Sequence, residues 1–260
     1  MAEGLFRSTL LPVATVTPLV GKDVCGVAYC PDEKDHIWAG YRNCVRKVDI
    51  KTSTVIMEVA TRTGKHCNFL ACLSNGDLLI SYGGTSHIDM VQRNGMFREF
   101  ADVKPYKCYD VVVSKKDEIG ICLKGGHLAV LSETGQIVAR VKMGKMSGFS
   151  VNGDGHYMIV DCGSGMNIVT VDGNGQHQRE SIKLDQKWEI ERIVCDGLGN
   201  IIAMNSKQEL YVMDRSGSSV VKYKVETEKK VSLNCLAVDI DNNLIFGTTD
   251  GKVLILRYLQ

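Results

Sequence analysis

Cysteine and histidine are the residues of this chain best suited to binding a metal or acting as nucleophiles. The 260 residues include ten cysteines and six histidines. A structural zinc site needs ligand pairs at short spacing, such as CxxC followed by two histidines. The chain has no CxxC, and the pairs Cys25/Cys30 and Cys67/Cys72 are five positions apart. We therefore expect no metal and no cofactor, and we predict reduced thiols that pack small gaps in the core.

Carboxylates are the second group that could do chemistry, because several of them converging on one cavity can hold a cation and activate water. Most acidic residues instead fall in short turns, where Asp accepts hydrogen bonds from its own backbone. The remaining candidates for such a site are Asp23, His66, Asp110 and Glu191. We predict that the chain is not an enzyme, and a metal-dependent hydrolase is the weaker alternative.

The elements that position these residues recur at steps of about forty residues. The turn VDIDNN, which begins at Val238, aligns with VCDGLGN, VNGDGH, VSKKDE, LSNGD and CPDEKD further upstream. Each turn is followed by an apolar strand, as in HIWAG, LLISYG and IIAMN. Six units of four strands cannot bury their sheets singly, so the repeat predicts an all-β, six-bladed β-propeller.

A single propeller domain is predicted for residues 1–260. The predicted blades cover about residues 24–60, 66–101, 108–142, 148–184, 190–225 and 233–258. The last unit contains only three strands, so we expect the segment at about 9–18, which includes the β-favouring VATVT, to add the fourth strand and close the ring. Gly, Asn and Asp interrupt the chain too often for long helices.

Composition narrows the choice of partners only slightly. The formal net charge is +1 and 44% of the residues are apolar, which is enough for a large core and gives no global sign of a nucleic-acid partner. No apolar run reaches the length of a membrane span, and the N-terminal sequence lacks the pattern of a secretory signal. We therefore predict a cytoplasmic location and no membrane partner.

Several segments resemble NHL repeats, which combine a first strand, a DxxGN-like turn and an apolar second strand. The clearest is VCDGLGNIIAM, followed by VDIDNNLIFG, HIWAGYRNCVRKVDI and ELYVMDRSG. The chain is similar over nearly its full length to the NHL-like ends of tripartite-motif ubiquitin ligases. This resemblance implies a non-catalytic module that recruits a protein partner or ubiquitination target. It also allows an RNA-binding module as the alternative.

The two faces of the predicted propeller differ in charge. The connections between blades, and those between second and third strands, lie on one face, which we call the loop face; the other turns form the turn face. The turn face is rich in Asp and Glu, whereas every inter-blade loop carries Lys or Arg. We predict that protein or RNA binds to the loop face. The predicted binding residues are Lys22, Arg42, Arg62, Lys65, Lys104, Tyr106, Lys107, Lys124, Lys142, Lys145, Lys187, Trp188, Lys207, Lys229 and Lys230.

Overall fold

Six four-stranded antiparallel sheets form a six-bladed β-propeller in the computed structural model. The structure describes residues 6–17, 22–163, 165–178, 181–225 and 231–259. Within these ranges there is no α-helix, only a 3₁₀ turn at Gln186–Trp188. The predicted all-β propeller is confirmed. None of the described residues belongs to a helix that is long and apolar enough to cross a membrane.

The strands follow one another from the channel outward in each blade. The first described strand is β1 (Phe6–Val16). Blade 1 contains β2 (Gly26–Tyr29), β3 (His36–Gly40), β4 (Cys44–Asp49) and β5 (Thr54–Ala60). Blade 2 contains β6 (Phe69–Cys72), β7 (Leu78–Ser81), β8 (His87–Val91) and β9 (Phe97–Asp102). Blade 3 contains β10 (Cys108–Val113), β11 (Ile119–Leu123), β12 (His127–Leu131) and β13 (Ile137–Lys142).

The remaining blades repeat this order. Blade 4 contains β14 (Met146–Val151), β15 (Tyr157–Asp161), β16 (Asn167–Val171) and the short β17 (Ile182–Lys183). Blade 5 contains β18 (Ile190–Cys195), β19 (Ile201–Asn205), β20 (Glu209–Met213) and β21 (Val220–Lys224). Blade 6 contains β22 (Leu233–Val238), β23 (Leu244–Thr248) and β24 (Val253–Leu259), and β1 is its outermost strand.

The first and the last described strands meet in blade 6. Strand β1 pairs antiparallel with β24, with Val16 opposite Val253 and Phe6 opposite Leu259. The side chains of Val16 and Val253 are both fully buried, so apolar packing supports the backbone pairing. The first strand therefore completes a sheet that would otherwise end in an open edge.

The second and third strands of each blade carry most of the core. All five residues of β19 and all five of β23 are buried, because neighbouring sheets cover both of their faces. The outer strand β13 instead alternates half-buried and exposed residues, as expected when one face contacts solvent. The first strands, which line the central channel, therefore pair with a fully packed neighbouring strand.

Aspartates of the turn face stabilise the first hairpin of a blade, as predicted. Asp196 Oδ1 accepts hydrogen bonds from the backbone N–H groups of Leu198 (2.9 Å) and Asn200 (2.7 Å). Asp239 Oδ1 accepts in the same way from Asn243 N–H (2.8 Å). These carboxylates are engaged in turn formation. All ten cysteines are free thiols in the structure.

Candidate active site in the central channel

One position of each first strand forms a ring around the channel. The pairing register identifies it as the residue opposite the fourth residue of the second strand, or opposite the fifth in blade 1, where the second strand begins one residue earlier. The six equivalent residues, here called the channel ring, are Gly26, Phe69, Asp110, Gly148, Arg192 and Cys235. In blades 3 to 6 an irregularity in the strand pairing comes directly before this residue. Such bulges redirect side chains, and here they set a carboxyl, a guanidinium and a thiol at equivalent positions.

Two cavities occupy the channel. One has a volume of about 700 Å³ and is lined by first strands of all six blades together with turns of the turn face, such as those containing Gly153 and Leu198. The other, about 730 Å³, lies on the loop-face side between blades 3 and 4; we call it the blade 3–4 cavity. Both are lined by Phe69, Asp110, Phe149, Glu191 and Arg192. These five residues therefore form the partition between the two cavities.

Arg192 spans the channel within this partition. Its strand belongs to blade 5, yet its guanidinium carbon lies 4.5 Å from the centroid of the Phe69 ring in blade 2. Blades 2 and 5 are opposite each other in a six-membered ring. The aromatic face stabilises the cation at this place by a cation–π interaction. The positive charge of Arg192 also acts on residues of other blades: it lowers the pKa of Asp110 in blade 3 and of Cys235 in blade 6, and so opposes the rise that burial causes.

Asp110 is one of the two carboxyl residues of the partition, together with Glu191. Its Oδ1 accepts a hydrogen bond from Val111 N–H at 2.7 Å, and within the described residues the carboxyl group makes no ion pair. Burial raises its pKa to about 7, while Arg192 and the backbone hydrogen bond oppose that shift. A half-buried carboxyl group with such a pKa can accept and return a proton at neutral pH.

The other channel candidates are less suited to chemistry. Burial raises the pKa of Cys235 to about 12, so this residue of the channel ring is a packed thiol rather than a thiolate. Cys25 Sγ lies 3.2 Å from His66 Nδ1, but burial and Asp23 raise the Cys25 pKa to about 11. Neither Cys25 nor His66 lines the two cavities of the described structure. Of the acidic candidates predicted from sequence, Asp110 and Glu191 reach the channel cavities.

The predicted binding cations of the loop face fall into different environments. Arg62 donates to both carboxylate oxygens of Asp89 (2.7 and 2.8 Å), and Lys104 pairs with Asp102 at 2.8 Å. Lys207 pairs with Glu189 at 3.1 Å. Three lysines line the blade 3–4 cavity instead: Lys124, Lys142 and Lys145. The cations found elsewhere in the loops are Lys22, Arg42, Lys65, Lys107 and Lys187. Lys229 and Lys230 lie outside the described residues.

Both aromatic residues predicted to bind a partner have intramolecular neighbours on their rings. The guanidinium carbon of Arg140 lies 4.5 Å from the centroid of the Tyr106 ring. The Trp188 ring stacks on Tyr211 with centroids 4.2 Å apart and an interplanar angle of 16°. These rings therefore help to pack the loop-face ends of blades 3 and 5.

A close backbone contact holds the lysine-bearing loops of blades 3 and 4 together. Gly126 has φ +76°, and a Cβ there would lie 1.5 Å from the carbonyl oxygen of Gly144. Met143 N–H and Gly144 N–H both donate to Gly126 O, at 2.8 and 3.2 Å. Only glycine permits this approach. The contact brings the β11–β12 turn and the β13–β14 loop to one cavity.

One group of potential metal ligands exists among the described residues, in blade 2. The ligand atoms of His87, Glu99 and Asp102 lie within 4.8 Å of one another. Arg62 already pairs with Glu99 at 2.6 Å, and Lys104 pairs with Asp102. These cations neutralise the carboxylates that a metal would need, so the group fits a surface ion-pair network better than a metal centre.

Arg192 and Phe69 were not predicted as site residues. The available signal was the pair of charged residues, Glu191 and Arg192, in the otherwise apolar first strand IERIVC. Arg192 occupies the position that aligns with Asp110 two repeats earlier. A comparison of first strands, rather than of turns, would have placed both residues on the channel ring. The turns align more readily than the first strands, because Gly and Asp recur in them.

Comparison with known proteins supports the fold. No protein family and no curated protein sequence matches this chain. A solved streptogramin B lyase structure superposes with a TM-score of 0.67 and 10% identity over 98% of each chain. A virginiamycin B lyase from Staphylococcus aureus superposes with a TM-score of 0.69 and 10% identity, covering 96% of this chain and 99% of the lyase. This likeness shows the propeller fold, whereas a relationship to NHL repeats is not shown.

The functional prediction from sequence is corrected by this comparison. These structural neighbours are lyases, which contradicts both the predicted non-catalytic role in a tripartite-motif ligase and the prediction that the chain is not an enzyme. The physical reason lies in two misjudged groups. Several loop-face cations, Arg62 among them, are neutralised inside the protein. Asp110, one of the few channel candidates that the sequence offered, lies on a bulged first strand, and burial there raises its pKa to about 7.

Proposed function

We propose that the protein is an enzyme that transfers a proton at a carbon beside a carbonyl group, with Asp110 as the acid–base group and Arg192 as the anion-stabilising group. The observation that carries this proposal is the partition of the channel. There a half-buried carboxyl without an ion pair in the described structure lies within the field of a guanidinium held over Phe69. A base and an oxyanion-stabilising cation in one partition are the two groups that such a step requires.

The reaction class that uses both groups is elimination. The carboxylate of Asp110 removes the proton from the α-carbon, and that electron pair forms a carbon–carbon double bond. The bond from the β-carbon to the leaving oxygen breaks, and the leaving group departs with its electron pair. Arg192 stabilises the negative charge that develops on the carbonyl oxygen during this step. The fold neighbours are named as lyases, which agrees with this class.

The elimination can be tested with a synthetic substrate of the matching chemistry. Threonine with a blocked amine, an amidated carboxyl group and an acylated hydroxyl has the required α-proton and β-oxygen leaving group. We expect the purified protein to release the carboxylic acid and to form an unsaturated amide, detected by near-ultraviolet absorbance and mass spectrometry. Asp110→Asn should lower the rate on the order of 100-fold or more, the usual contribution of a general base. Asp23→Asn removes an exposed acid outside the cavities and serves as the matched control.

Two outcomes would overturn this proposal. Release of threonine with a free hydroxyl group would show hydrolysis instead of elimination. Full activity of Asp110→Asn would remove Asp110 from the mechanism. A measurement that needs no substrate complements both: a carbon-13 titration of the Asp110 carboxyl should give a pKa of about 7, well above the ordinary Asp value.

A further inference from the structure

The blade 3–4 cavity combines apolar walls with a cationic mouth. Its volume of about 730 Å³ lies in the range that holds a small organic molecule. The walls include Phe69, Leu123, Met146 and Phe149, and the partition with Asp110 is at the inner end. A molecule that enters from the loop face therefore passes the mouth before it reaches the acid–base group.

Three exposed lysines at the mouth make no ion pair within the described part of the chain: Lys124, Lys142 and Lys145. Together with Arg192 they give the cavity four cations, against the carboxyl groups of Asp110 and Glu191. Asp161 lies near these lysines, but its Oδ1 accepts a hydrogen bond from Gly163 N–H at 2.8 Å. Charges of one sign around a cavity with low-dielectric walls concentrate ligands of the opposite sign.

The contrast with the neighbouring blade supports a binding role for these lysines. Lys104 lies in the preceding inter-blade loop and is paired with Asp102 at 2.8 Å. The lysines at the cavity have no such carboxylate in the described structure, although the Gly126–Gly144 contact brings their loops together. Cations that are close together and have no acidic partner repel one another, and an anionic ligand would reduce this repulsion.

We propose that the blade 3–4 cavity binds a small organic anion: Lys124, Lys142 and Lys145 hold its carboxylate or phosphate group, and the apolar body extends inward to Asp110. This inference rests on the proposed function for its statement that the anion is the substrate. The binding itself does not depend on catalysis, so it can be measured separately.

The test uses benzoate, phenyl phosphate and neutral benzamide as probes, with affinities measured by titration calorimetry and by NMR shifts of cavity residues. We expect both anions to bind more tightly than benzamide, and their affinity to fall as salt rises. The variant Lys124→Gln/Lys142→Gln/Lys145→Gln should weaken anion binding on the order of tenfold or more and leave benzamide unchanged. The relative affinities of benzoate and phenyl phosphate distinguish a carboxylate from a phosphate site.

A variant of equal charge change provides the control. Lys104→Gln/Lys187→Gln/Lys207→Gln also removes three loop-face cations, none of which lines the cavity. We expect it to bind the anions like the unmodified protein. Equal loss in both variants would indicate a diffuse field and overturn the proposal, as would anions that bind no better than benzamide.

The outcomes for binding and catalysis are separable. Asp110→Asn should retain anion binding, because the lysines and not the carboxyl hold the anionic group. Anion binding without any elimination would contradict the proposed function alone. Elimination with no preference for anionic over neutral substrates would contradict this inference alone.

Discussion

The loop between blades 1 and 2 and the loops between blades 3 and 4 both carry cations of the loop face, yet these cations have different environments. Arg62, in the loop between blades 1 and 2, makes a two-pronged contact with Asp89 of blade 2, whose side chain is 0% exposed. Between blades 3 and 4, Lys124 and Lys145 line an open cavity and make no ion pair in the described structure. Lysine or arginine in a loop thus does not by itself identify a binding residue. A cation that has a carboxylate within reach pairs with it, and only a cation without such a partner is available to a ligand.

The difference originates in the third strands. Asp89 pairs with Ile80 across the sheet, and the equivalent positions are Ala129 in blade 3 and Val169 in blade 4. A buried carboxylate needs donors, and Asp89 receives them from Arg62 and from Tyr82 Oη at 2.5 Å. Ala129 and Val169 have apolar side chains, which need no hydrogen-bond donors. The loop lysines above blades 3 and 4 therefore have no internal acid at this position to neutralise.

The largest loss of stability is expected at Arg62, because this cation neutralises a buried carboxylate. Arg62→Leu should lower the free energy of unfolding by about 3 to 5 kcal/mol, because it leaves the Asp89 carboxylate buried without its cation. The triple variant Lys124→Gln/Lys142→Gln/Lys145→Gln should stay within about 1 kcal/mol of the unmodified protein, since exposed lysines contribute little to folding. Urea unfolding of both variants measures the difference.

A rescue experiment sharpens this comparison. Adding Asp89→Asn to Arg62→Leu removes the uncompensated charge and should recover a large part of the lost stability. Equal stability of Arg62→Leu and the lysine variant would show that the two cationic regions contribute alike to folding.

A pH-dependent change in stability, of intermediate size, is expected from Asp110. The folded-state pKa of about 7 lies above the ordinary Asp value, so folding favours the protonated form. The protein should therefore lose stability relative to Asp110→Asn as pH rises from about 4 to 7, by at most about 4 kcal/mol for a shift of this size. Urea unfolding at pH 5 and pH 8 measures it. The stability of Asp23→Asn should change with pH as that of the unmodified protein does. If the stability of Asp110→Asn also changed with pH in the same way, the raised pKa of Asp110 would be contradicted.

The smallest effect is expected at Arg192. Arg192→Met removes the charge that holds the Asp110 pKa down, so the carboxyl should titrate at a higher pH than in the unmodified protein. Loss of the contact with Phe69 should cost about 0.5 to 2 kcal/mol of stability. A carbon-13 titration of the Asp110 carboxyl detects the pKa change. An unchanged or lowered pKa would show that Arg192 does not act on this group.

The architecture could be predicted because its signals are local. The turn VCDGLGN and the strand IIAMN are adjacent in the chain, and Asp196 binds the backbone of its own turn. Repetition of such hairpins predicted the number of blades without any knowledge of long-range contacts. The candidate site had a weaker signal. The sequence offered Asp110 and Glu191 as possible channel acids, but nothing near them in the chain indicated that Arg192 and Phe69 meet them.

The sequence by itself determined the six repeated hairpins, the polar turns between them and the need for an N-terminal strand in blade 6. Only the tertiary structure decided which charges meet. Phe69, Asp110 and Arg192 belong to three different blades, and ring closure brings them into one partition. The proton affinity of Asp110 was likewise decided by folding, because burial from surrounding blades raises its pKa while Arg192 opposes the rise. These interactions depend on distances across the channel, and the order of residues along the chain does not contain them.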